Sequence, residues 1–186
     1  MFALSRGNTA GNDIVGRDQI IHTTHNHAPQ SPLANLYEKL RDATGNQSNV
    51  GQIADLFQHF CNALTDGDVR GLEEKLNDAG RSDLLNQAST MKQFASKTIM
   101  KWQTSGVAQD IITHVLSKMY TEFINHVTPA IQSGADRLYI DSLIGEKVIK
   151  PVEDMLGDND LGLTSTHLMG LLFYLGGNCH VRWDKC

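Results

Sequence analysis

From Leu33 onward, apolar residues recur at intervals of three and four, the signature of helices with one buried face. Leu33, Leu36, Tyr37 and Leu40 mark a first helix, introduced by Ser31 as a cap and Pro32 in the first turn. Val50, Ile53, Phe57, Phe60, Cys61 and Leu64 mark a second, and Val69, Leu72, Leu76 and Ala79 a short third that ends at Gly80. Ser82 is placed to cap a long fourth helix, with Leu84, Leu85, Ala88, Met91, Ala95, Ile99 and Trp102 on its buried side. The fifth carries Val107, Ile111, Val115, Met119, Phe123 and Val127, widened by Ile112, Leu116 and Tyr120 into a stripe fit for packing on two sides. Pro129 and Gly134 punctuate it. A sixth runs from Ala135 to Leu156, with a kink or break expected near Lys150 because Pro151 lies inside it. Thr164 or Ser165 caps a seventh with Leu168, Leu171, Leu172 and Leu175, and Gly176-Gly177 is expected to stop it. In the remainder, Cys179, Val181 and Trp183 alternate with His180, Arg182 and Asp184, the period of two of a strand. The pattern predicts an all-α fold, an irregular bundle of about seven helices over residues 31–186, closing in a short strand or a docked tail.

The first 30 residues follow a different rule. Gly11-Asn-Asp13-Ile14-Val15 is echoed five residues on by Gly16-Arg-Asp18-Gln-Ile20, followed by Ile21. Glycine and aspartate favour corners and β-branched residues favour strands. One copy is too small to fold alone, but identical copies stacked from several subunits would pair each other's open edges. Asp13, Ile14, Val15, Asp18, Ile20 and Ile21 are therefore candidate residues of a β element that joins copies of the chain. His22, His25 and His27 follow beside Pro29 and Pro32, a poor rigid frame for a metal, and read as a polar linker.

Charge and candidate chemistry narrow the function. A net charge of -5 argues against a direct nucleic-acid partner, which calls for an obvious basic surface. No apolar run reaches the roughly 18 residues of a membrane span, no basic leader precedes an apolar segment, and three widely spaced cysteines suggest no disulfide framework. These features predict a cytoplasmic protein without membrane partners. There is no phosphate-binding glycine loop and no serine nucleophile elbow. The loop with Asp158 and Asp160 lacks the glycine and terminal acid of a calcium site in their required places. The remaining chemistry lies near the C-terminus, where Cys179 with His180 or His167 suggests a cysteine-dependent hydrolase, and the same residues with Cys186 a zinc site. Neighbouring ligands suit tetrahedral zinc badly, and adjacent Cys179 and His180 diverge on an extended chain. The reading favoured over both is non-enzymatic, without cofactor or metal, in which Asn178, Cys179, His180, Arg182 and Trp183 lock the structure or meet a partner.

Two stretches carry a family resemblance. Leu171-Leu-Phe-Tyr-Leu-Gly-Gly-Asn-Cys-His-Val-Arg-Trp-Asp184, with Tyr120–Pro129 and Ile144–Pro151 upstream, resembles the C-terminal helical domain of bacterial three-component ABC ATPase conflict systems, which act against phage. The Gly11–Ile20 element resembles a Gly-Asp strand motif that often precedes domains of bacterial conflict proteins. The resemblance implies a scaffold or adaptor that forms homo-oligomers and links an effector to an ABC-type ATPase. In that family the domain is appended to an effector. Here the strand motif stands almost at the start, so the effector is expected to be a separate polypeptide encoded nearby.

Overall fold

The structure is a computed structural model that describes residues 33–42, 53–65 and 70–184. The β element proposed from Asp13, Ile14, Val15, Asp18, Ile20 and Ile21, the three linker histidines and Cys186 lie outside these residues. The described chain is helical throughout, with no strand. Its rods are α1 (Ala34–Asp42), α2 (Ala54–Cys61), α3 (Leu72–Asp78), α4 (Leu85–Lys101), α5 (residues 106–133), α6 (residues 137–156) and α7 (Ser165–Gly177). No described helix is long and apolar enough to cross a membrane.

The wide apolar stripe of α5 places it at the centre. Val107, Ala108, Ile111, Ile112, Val115, Leu116, Met119, Phe123 and Val127 are all buried. Helices α1, α2, α6 and α7 pack around it, while α4 lies outside and packs chiefly on α7. The start of α4 differs from expectation. Ser82–Leu84 form a 3-10 turn, and the Ser82 hydroxyl donates to Asn77 Oδ1 at 2.8 Å instead of capping.

Neither internal proline breaks its helix. The rod of α5 runs as α-helix over Gly106–Glu122, opens into a π segment at Phe123–Val127, and resumes at Thr128–Ser133. The rod of α6 repeats the device, with a π segment at Ile144–Ile149 between Arg137–Leu143 and Lys150–Leu156. In each, the residue before the proline reaches back five positions: Thr128 N–H donates to Phe123 O, and Lys150 N–H to Gly145 O. Widening the turn by one residue moves the carbonyl four back away from the proline ring, which would otherwise clash. The two π segments pack against each other.

Glycines set how closely α4 and α7 approach. A Cβ on Gly170 would lie 2.5 Å from the Met91 carbonyl oxygen, and one on Gly177, two turns further along the same face, would run into the Lys92 side chain. A main-chain oxygen cannot swing aside, whereas a lysine side chain can. We predict that Gly170→Ala destabilises the protein by about 1–3 kcal/mol through overpacking, despite alanine's better helix propensity. Gly145→Ala, where no atom lies within 4 Å of the added carbon, should stay within about 1 kcal/mol of the parent on the stabilising side. Urea unfolding of the two variants checks the contrast.

Candidate functional site

Helix α7 runs through Gly176 and ends at Gly177, with Asn178 as its C-cap. Cys179 N–H donates to Gly176 O at 3.2 Å and His180 N–H to Leu175 O at 2.9 Å. This is the paired closure of a Schellman motif, whose pivot must adopt a left-handed conformation. Cys179 occupies that pivot at φ +66°. The same closure ends α3 at Gly80 (φ +69°) and α5 at Gly134 (φ +78°), where glycine takes the strain-free role. A side chain there costs about 1–2 kcal/mol. The run after α7 is therefore a sequence of turns and bends and not a strand. The pivot turns the chain away from an extended path, and the period-two alternation serves a docked tail.

That tail is spent on the end of α2. The last carbonyls of a helix have no partner within it. Asn178 Nδ2 donates to Phe60 O (3.0 Å) and Cys61 O (3.1 Å), Tyr174 Oη donates to Cys61 O (3.3 Å), and His180 Nε2 lies 3.2 Å from Asn62 O. Leu64 N–H returns a bond to Asn178 O at 3.0 Å. The rings of His59, Phe60 and His180 contact one another, with centroids 4.9–5.4 Å apart. Burial pushes the Tyr174 hydroxyl up to about 12, which keeps it a donor. Helix α7 is capped in turn by Lys75. Its side chain is fully buried, and Nζ donates to Gly176 O at 3.1 Å.

Beyond His180, Val181 and Trp183 are buried. The Trp183 ring lies between Phe173 (5.6 Å, stacked) and Phe123 (5.3 Å, edge-on), and it fills the space that Gly176 leaves by lacking a Cβ. Arg182 holds Asp184 with two bonds, at 3.1 and 2.8 Å, and Arg70 bonds the same carboxylate and Asp78. Burial alone would raise the Asp184 carboxyl, but the bonds from Arg182 and Arg70 outweigh it and hold the group below its ordinary value.

The residues considered for catalysis or zinc do not converge. His167 lies at the start of α7 and Cys179 just past its end, and twelve residues of helix separate them by about 18 Å. His167 Nδ1 accepts from Thr164 N–H at 3.2 Å, taking the place that glutamate usually holds in a capping box. The Cys179 thiol faces the Arg70 carbonyl at 3.8 Å, whereas His180 faces Asn62, so the neighbours point to different partners. Among the described residues, no group of three or more His, Cys, Asp and Glu side chains could hold a metal. Sequence reasoning missed Lys75 and Tyr174 as members of the lock.

Two measurements test this arrangement. Trp183→Ala should cost about 3–5 kcal/mol, as for other buried aromatics replaced by alanine, and an unchanged melting temperature would remove Trp183 from the core. The second concerns His180, whose imidazole is held below its ordinary value of 6.5, first by burial and then by His59. Above that pH the ring is neutral whether folded or not. As the pH falls through about 6.5, the unfolded chain takes a proton that the folded chain resists, so stability is lost on the acid side. His180→Gln, which keeps a donor for Asn62 O, should lose less stability than the parent between neutral and mildly acid pH. Equal losses would assign the proton to another group.

A family model described as C-terminal domain 9 of the ABC-three component (ABC-3C) systems matches residues 71–183, from the start of α3 through Trp183. No curated protein and no solved structure matches the chain.

Proposed function

The chain belongs to the family of C-terminal domain 9 of the ABC-three component systems, and from that premise we propose that it is a non-enzymatic scaffold of an anti-phage complex. In this reading, residues 1–30 join copies of the chain through the β element, and residues 31–186 link an effector to an ABC-type ATPase in the cytoplasm. The observation that carries the reading is the use made of the polar run 178–184. Asn178, His180, Arg182 and Asp184 are engaged by helix ends and by one another, so the polar groups of this run are spent on the domain's own structure. The wide separation of His167 from Cys179 also supports this reading, since a thiol nucleophile needs its base within hydrogen-bond reach.

Light scattering on the full chain after size-exclusion chromatography tests the scaffold. The parent should run as a multimer, and Ile14→Asp combined with Ile20→Asp should reduce it to a monomer without lowering the melting temperature. A parent that is already monomeric would end the oligomer claim. Co-expression with the ATPase and effector encoded beside it should yield a complex that survives purification, and recovery of the chain alone would end the adaptor claim.

A further inference from the structure

Between Asp83 and Asp110 the chain carries three lysines and no acidic residue, although its 16 Lys and Arg are outnumbered overall by 21 Asp and Glu. All three, Lys92, Lys97 and Lys101, lie on α4. Helix α4 turns Ala88, Ala95 and Ile99 into the protein. Its opposite face presents Gln93, Phe94, Lys97, Met100 and Lys101 to solvent. Phe94 is 48% exposed and Met100 62%. Elsewhere, Lys118 pairs with Glu122 and Lys150 with Asp154, each one turn on. Among the described residues, the α4 lysines have no such pairing. Lys97 Nζ instead lies 5.9 Å from the centre of the Phe94 ring, and Lys101 Nζ 4.9 Å from that of Trp102.

We propose that this face of α4 docks an acidic segment of a partner protein that also carries apolar side chains; the proposal rests on the adaptor reading above. Charge complementarity fixes the sign of the partner, since unpaired ammonium groups on a net acidic protein attract carboxylates and repel little else nearby. The protruding Phe94 and Met100 fix its kind. Aromatic and methionine side chains are enriched where proteins meet, and they supply area that a phosphate backbone would not cover. The two ammonium groups on this face, Lys97 and Lys101, also fall short of the roughly 6–10 phosphate contacts of a typical DNA binder. The face lies on the side of α4 away from α7, so a partner reaches it without disturbing the core.

The experiment uses the full chain, tagged and co-expressed with the ATPase and effector subunits encoded beside it, and compares it with the triple variant Phe94→Ala, Lys97→Glu, Lys101→Glu. These side chains are exposed, so the melting temperature should hold. The parent should retain a neighbour protein in a salt-sensitive manner, and the variant should retain it about tenfold less. Carbodiimide coupling should join Lys97 or Lys101 directly to Asp or Glu of that neighbour. Equal retention by the variant would overturn the docking face and leave the adaptor reading intact. A parent that retains neither neighbour would overturn both. Loss of multimer mass in the variant would reassign the face to a second copy of this chain, and loss of binding to labelled duplex DNA would reassign it to nucleic acid; either result overturns the proposal.

Discussion

The carbonyl groups at the ends of α2 and α7 must find donors, and the rest of the structure is arranged around that demand. A helix leaves its last carbonyls unpaired, and a buried one without a partner costs as much as a lost hydrogen bond. Helix α2 ends against the run that follows α7, so Asn178, Tyr174 and His180 supply the donors. Helix α7 ends over α3, so Lys75 supplies the ammonium for Gly176. The same solution recurs where Tyr37 Oη donates to Leu156 O at 3.0 Å and ties α1 to the end of α6. Each bond joins elements distant in sequence, and each is placed by a helix that depends on another.

Fully burying a lysine is costly unless its charge is answered. The C-terminal end of a helix carries partial negative charge, and the Gly176 carbonyl lies there. Lys75 thus meets a dipole in place of a carboxylate, which suits a site where Gly176 must already be glycine to admit Trp183. Glycine, lysine and tryptophan form one packing unit: a side chain at Gly176 would displace Trp183 and shift the carbonyl that Lys75 needs.

The seven rods were legible because their stripes repeat at three and four over many residues, and α5 was recognisable as central from the width of its stripe. The departures have specific causes. Pro129 and Pro151 suggest breaks because the usual rule considers only α-helix, and a π turn satisfies both the proline and the helix. Helix α7 does end at Gly177, as Gly176-Gly177 suggest, but the two glycines also serve contact with Trp183 and Lys92. Alternation over Cys179–Asp184 fits a strand and equally a tail whose apolar residues turn inward. Cys179 at a left-handed pivot defeats a rule that looks for glycine or asparagine. Lys75 gives no signal, since Leu-Glu-Glu-Lys-Leu reads as an ordinary amphipathic turn with its lysine in water.

The lock also sets an order of events during synthesis. The carbonyls of Phe60, Cys61 and Asn62 receive their partners from residues 117–118 positions later. When α2 leaves the ribosome those partners have not been made, and it must wait with its end open while α3 to α7 are translated. Pairings this distant in sequence are slow to form, because the intervening chain must first be brought round. A nascent chain halted after Gly177 therefore has all seven helices but lacks the Asn178 and His180 donors that close the end of α2.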